Sequence, residues 1–98
     1  MIKALFLFPK STEPEMLEGF LSTNLIPTLQ QSSGLRSLTT STGPLMSPGG
    51  PPPYAKVVEA SFGSLEDWIA LVQSPAVQAR RDDMPPDTLI LYYEVDES

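Results

Sequence analysis

The sequence predicts an α+β fold in which a strand–helix–strand unit occurs twice along one antiparallel sheet. Three observations carry that expectation. Along the 98 residues, strand-like and helix-like apolar patterns follow the order strand, helix, strand, strand, helix, strand. The two middle strands are separated by residues 43–53, which hold five prolines and three glycines and so exclude both helix and central strand. The strands carry apolar residues on both faces, where a sheet with one wet face would alternate cleanly with polar ones.

Residues 1–8 form the first strand, a short run of large apolar side chains interrupted only by Lys3. Ile2, Ala4, Phe6 and Phe8 occupy one face, and Met1, Leu5 and Leu7 the other. Pro9 has no N–H and closes it. Thr12-Glu13-Pro14-Glu15 then opens a helix: Thr12 as N-cap, Pro14 in the first turn, Glu15 at the third position, and both glutamates near the positive end of the helix dipole. Leu17, Phe20, Leu21, Asn24 and Thr28 share one face. Pro27 is expected to kink or end the helix near Asn24, since its ring clashes with the carbonyl four residues back. Gly34 marks the stop.

Residues 35–42 alternate and are rich in threonine, which reads as the second strand. The segment 43–53 is a long hairpin connection, extended near Pro51-Pro52-Pro53. The third strand runs from Tyr54 to Phe62. Tyr54, Lys56, Val58, Ala60 and Phe62 lie on one face; Ala55, Val57, Glu59 and Ser61 on the other. After Gly63, Ser64 caps the second helix with Asp67 three residues on. Leu65, Trp68, Ile69 and Val72 form its apolar stripe. Ser74-Pro75 breaks this helix and starts a short one with Pro75 in the first position, ending near Met84-Pro85-Pro86. Residues 89–95 are the last strand, followed by a frayed acidic tail, Asp96-Glu97-Ser98.

These pieces make a ferredoxin-like βαββαβ arrangement with both helices on one face of an antiparallel sheet. The whole chain, 1–98, is expected to be a single domain. It buries roughly 60–70% of its unfolded surface, which leaves it marginal alone. A homodimer would cover the apolar second face, two sheets closing into a dimeric α+β barrel across a two-fold axis. A monomer with a partly exposed sheet is the other possibility.

Composition narrows the chemistry. A net charge of −6 opposes binding to nucleic acid and to anionic membrane. There is no cysteine and no histidine, so the chain lacks disulfides, thiolate nucleophiles and the side chains most used for metal, haem and acid–base work near neutral pH. No cofactor and no metal site are expected; Asp82, Asp83 and Asp87 lack the number and spacing of ligands that a calcium loop needs. The opening apolar stretch is too short for a membrane span or a signal segment, and cytoplasmic residence is the default expectation.

Several stretches resemble the EthD-like proteins, named for ethyl tert-butyl ether degradation, within the dimeric α+β barrel superfamily. They are the opening Ile2-Lys3-Ala4-Leu5-Phe6-Leu7-Phe8 and capped helix, then Asn24-Leu25-Ile26-Pro27 leading to Gly34-Leu35-Arg36. Most telling is Glu59-Ala60-Ser61-Phe62-Gly63-Ser64-Leu65-Glu66-Asp67-Trp68, followed by Ser74-Pro75 and Asp82. The resemblance implies a small homodimer that binds an apolar or aromatic metabolite, as an accessory or catabolic-pathway protein. It also leaves open a cofactor-free monooxygenase or isomerase. EthD-like proteins often carry a histidine shortly before the proline of the first helix. Here Asn24 and Leu25 stand at that place, so histidine-dependent chemistry does not carry over. A module in which the Pro-rich loop meets a partner is a third possibility.

The candidate ligand-binding residues are Asn24, Lys3, Glu59, Tyr54, Arg36 and Tyr92. Asn24 sits on the apolar helix face beside the expected kink. Local satisfaction favours a bond to the backbone freed by Pro27; the alternative is a ligand carbonyl or hydroxyl. Lys3 and Glu59 fall on strands expected to be adjacent, as a rim ion pair or as the lining of a polar pocket joined by Lys56. Tyr54, Tyr92 and Tyr93 suit either strand packing or an aromatic pocket. Trp68 reads first as core, and Arg36 as a possible carboxylate partner. Arg80-Arg81-Asp82-Asp83 reads as a solvated helix end with mutual charge pairs.

Overall fold

A computed structural model describes residues 1–96. Four strands, β1 (Ile2–Pro9), β2 (Leu35–Thr40), β3 (Tyr54–Phe62) and β4 (Leu89–Glu94), form one antiparallel sheet in the order β2-β3-β1-β4. β1 and β3 are therefore neighbours at the centre, with Leu5 opposite Glu59 and Phe6 opposite Val58. β4 pairs with β1 alone, placing Leu91 opposite Leu5 and Tyr92 opposite Ala4. The expected ferredoxin-like α+β arrangement is the one observed. β3 has the expected bounds, and residues 41–53 contain no helix or strand. Of the acidic tail, Asp96 lies in no regular element and Glu97 and Ser98 lie outside the described residues.

The helical layer covers one face. α1 (Pro14–Phe20), a π-helical turn (Leu21–Leu25) and α2 (Ile26–Gln30) run without a break. The expected kink at Pro27 is replaced by this wide turn. Pro27 cannot donate to the carbonyl four residues back and its ring would clash there. The turn widens instead, and the Ile26 N–H reaches the Leu21 carbonyl, five residues back. The buried stripe shifts accordingly. Leu17, Leu21, Leu25 and Leu29 are buried, where the sequence reading puts Asn24 and Thr28 on the stripe. In a pure α-helix a spacing of four drifts by about 40° per step; the π turn offsets part of that drift. Thr12 is not the N-cap: Pro14 takes the first helical position, so Glu13 occupies the cap and makes no side-chain cap bond.

α3 (Leu65–Val72) starts as expected, with the Ser64 hydroxyl accepting the Asp67 N–H at 3.2 Å. Its approach to β2 depends on a glycine, because a Cβ on Gly34 would collide with the Asp67 side chain. α4 (Pro75–Arg80) is capped by Ser74, whose hydroxyl accepts the Val77 N–H at 3.3 Å, and a 3₁₀ turn (Arg81–Asp83) follows.

The core lies between the sheet and these helices. Ile2, Ala4, Phe6 and Phe8 of β1 and Val58, Ala60 and Phe62 of β3 are buried there against Phe20, Leu25, Leu29 and Trp68. Leu5 and Leu7 point to the opposite face and stay half-buried, while β4 is exposed along its whole length. Leu89, Leu91 and Tyr93 of β4 share that second face with Lys3, Leu5 and Leu7, directly opposite them in the ladder.

Candidate functional site

The helix-facing side of the sheet is not filled at the β4 edge. A cleft of about 650 Å³ lies there between the first helical run and the α3–α4 arm. Its floor is Phe6 of β1 with Ile90 and Tyr92 of β4, the residues that the pleat sends toward the helices. Trp68 forms the inner wall. It is only 5% exposed and is fixed by three ring contacts, to Phe62 at 5.3 Å, Tyr92 at 5.7 Å and Phe6 at 6.1 Å between centroids. The cleft wall and the core are thus one aromatic cluster. Val72, Val77 and Met84 close the far side.

Polar groups are few and segregated. Asn24 and Thr28, one helical turn apart, face the cleft from the first helical run, and both are half-buried. Beside Asn24, Thr23 Oγ1 donates to the Gly19 carbonyl at 2.6 Å, and Ser22 Oγ does so at 3.4 Å. Asn24 itself is among the residues that line the open cavity. Arg80 and Arg81 stand at the mouth with Gln73 and Gln78. The mutual Arg–Asp pairs expected for 80–83 do not form. The ion pairs among the described residues are Lys3–Glu59 and Lys56–Glu18, and Arg81 instead donates to the Gln78 side-chain oxygen at 3.5 Å.

The other candidate residues lie elsewhere. Lys3 Nζ donates to Glu59 Oε1 at 2.8 Å, a diagonal pair across β1 and β3 on the sheet face away from the helices. The two side chains remain 33% and 35% exposed. The hydrogen bond from Lys3 to Glu59 and the carboxylate charge together raise the Lys3 pKa above its ordinary value. Lys56 does not join them: the alternation of β3 sends it to the helix side, where it holds Glu18 of α1 at 3.2 Å. Tyr54 lies opposite Pro9 and is outside the cleft lining. Tyr93, opposite Lys3, is on the second sheet face. Arg36 lies over Gly63, its Nε and Nη2 3.1 Å from where a Cβ would stand, and also misses the cleft. Of the six candidates, the structure brings Asn24 and Tyr92 together in one cavity and pairs Lys3 with Glu59 on the other side of the sheet. Phe6, Thr28 and the two mouth arginines are lining residues that the sequence reading did not assign. The polar interruption Asn24/Thr28 in an otherwise leucine-rich stripe was the signal for one wall.

Strand order and a helical layer on one face define a ferredoxin-like α+β fold, with an open cleft beside β4. No protein-family model matches the sequence, and no curated protein matches it. Among solved structures the chain is similar to an EthD family protein of Bacillus halodurans, with a TM-score of 0.76 and 16% identity over 98% of this chain and 99% of that one. It is similar to a dimeric ferredoxin-like protein of unknown function from Thermobifida fusca, with a TM-score of 0.69 and 16% identity over 96% and 90% of the two chains. It is also similar to a cofactor-independent oxygenase of Streptomyces nogalater, with a TM-score of 0.73 and 9% identity over 99% and 94%. At these identities the likeness establishes a shared fold.

Proposed function

We propose that this chain is the protomer of a homodimer and that each cleft holds a small apolar or aromatic metabolite, in an accessory or catabolic role. The cleft carries the reading. Its volume of about 650 Å³ falls inside the roughly 300–1,000 Å³ of typical small-molecule sites. Its walls are aromatic and aliphatic, and Asn24 in the lining offers an amide that can meet a ligand carbonyl or hydroxyl. The dimer rests on the second sheet face, where Leu5, Leu7, Leu89, Leu91 and Tyr93 form an apolar surface that water would otherwise wet. The Thermobifida fusca neighbour described as dimeric supports that assembly.

Native mass spectrometry of freshly purified protein tests both halves. A dimer carrying a small-molecule adduct is the expected result, and a monomer at all micromolar concentrations overturns the assembly. Exchange of Asn24 for alanine is expected to weaken the recovered ligand about 2- to 10-fold, the worth of one hydrogen bond; unchanged affinity removes the amide from the site.

A second reading, a cofactor-free monooxygenase or isomerase, draws on the likeness to the Streptomyces nogalater oxygenase. In this chain such chemistry has Asn24 and Tyr92 to work with inside the cleft. Lys3 and Glu59 lie outside that cleft, across the sheet from it. Turnover of an aromatic substrate that is lost in Asn24→Ala with folding intact distinguishes the enzyme from the binding protein.

A further inference from the structure

The charge of the cleft is opposite to that of the molecule. The chain carries a net charge of −6 from twelve acidic and six basic side chains. Two of the six cations, Lys3 and Lys56, are already held by glutamates. Two of the remaining four, Arg80 and Arg81, stand side by side at the mouth of the cleft, and no aspartate or glutamate is among its lining residues. Asp82 and Asp83 follow directly in the chain, yet neither pairs with these arginines among the described residues. Asn24 and Thr28 add neutral hydrogen-bonding groups on the opposite wall, and the floor between is aromatic.

We infer that the ligand is an anion: an aromatic or other apolar carboxylate whose ring lies on Phe6, Trp68 and Tyr92 and whose acid group meets Arg80 and Arg81. The inference rests on the cleft reading above and deepens it. A guanidinium presents paired N–H donors that match a carboxylate, and charge-assisted bonds are stronger than neutral ones. An acidic protein that takes up an acid has to offset its own field, and a cationic mouth with no carboxylate in the lining does so locally. A neutral hydrocarbon ligand has no use for two arginines at the entrance that have no carboxylate partners among the described residues.

The test compares 2-naphthoate with 2-naphthamide, nearly isosteric and different in charge, by isothermal titration calorimetry on the 98-residue chain. Wild type is expected to bind the acid about 3- to 10-fold more tightly than the amide, a modest margin because both arginines are solvent-exposed. The margin is expected to shrink as salt rises. In the double variant R80Q/R81Q the ratio falls to about one. Lys10→Gln, which changes the net charge by one without touching the cleft, keeps the wild-type ratio. If the amide binds as well as the acid to wild type, the anion inference is overturned and the cleft reading stands. If neither binds, both fall. If Lys10→Gln lowers the ratio as much as the arginine variant, the effect belongs to net charge and the mouth arginines lose their role.

Discussion

Leu91 is the point at which the assembly is most directly put at risk. It lies on the sheet face away from the helices, opposite Leu5, and is 45% exposed in the protomer. Fully burying a leucine is worth about 1.5–3 kcal/mol. Covering the part still open is thus worth about 0.7–1.4 kcal/mol per protomer, and twice that in a two-fold dimer, where each copy contributes its own leucine. Leu91→Ala keeps the strand and the Cβ but forfeits most of this, about 1–2.5 kcal/mol per dimer. At 1.4 kcal/mol per tenfold, the dimer Kd rises about 5- to 60-fold. Sedimentation equilibrium over a concentration series measures that rise. Met16→Ala on α1, where the side chain is even more open to solvent (59% exposed) but lies on the helical layer rather than the sheet, serves as the reference and leaves the Kd alone. Equal effects of the two variants, or none from Leu91→Ala, would refute the assignment of the second sheet face as the interface.

Two further outcomes follow from the geometry. Trp68→Ala removes the hub of the aromatic cluster and opens a cavity beside Phe6 and Phe62, so urea unfolding followed by far-UV circular dichroism is expected to show a loss of about 3–5 kcal/mol. A loss under 1 kcal/mol would mean that the cleft wall collapses freely and is not a built surface. For Lys3, the Glu59 hydrogen bond and charge raise the folded-state pKa. Its contribution to stability is therefore complete below the unfolded lysine pKa of about 10.4 and is lost only as pH rises through the folded value. The stability difference between wild type and Lys3→Met should be constant from neutrality to about pH 9 and vanish only in stronger alkali. A difference that already changes near neutral pH would show that another group governs the pair.

The elements that were legible in the sequence are those whose limits are set by local chemistry. β3 begins after three prolines and is followed by a glycine, and its bounds emerge as read. Ser64 and Ser74 cap helices because a hydroxyl one position ahead of a helical pattern has its acceptor role fixed by the backbone. Lys3 and Glu59 were foreseeable neighbours once the strand order was. The π turn was not. A proline within a helical pattern can break the helix or widen one turn, and burial of Leu25 and Leu29 against the sheet decides between them, a tertiary term absent from any local window. The same shift turned Asn24 from the core stripe to the cleft. For Tyr54, residue type alone leaves strand packing and an aromatic pocket both open. Its place outside this cleft follows from which end of the sheet the helices leave uncovered.

β4 joins the two proposed surfaces. It is an edge strand held by β1 alone, and every one of its residues is exposed in the protomer. Its alternation divides it: Ile90 and Tyr92 line the cleft, while Leu89, Leu91 and Tyr93 face the proposed interface. A strand with so little cover is among the first parts of a sheet to open, and whichever partner arrives first bears the cost of ordering it. The second then binds a strand already held, which is positive coupling without any change of shape. By reciprocity, 2-naphthoate should tighten the dimer by the factor by which dimerisation tightens the probe, at the low end of the usual range, about 5-fold. Sedimentation equilibrium with and without the probe reads the first factor. Hydrogen exchange reads the cause, as slower exchange of the β4 amides when either surface is covered. If β4 amides in the isolated protomer exchange as slowly as those of β1, the strand has no disorder left to lose, and the two surfaces would bind independently.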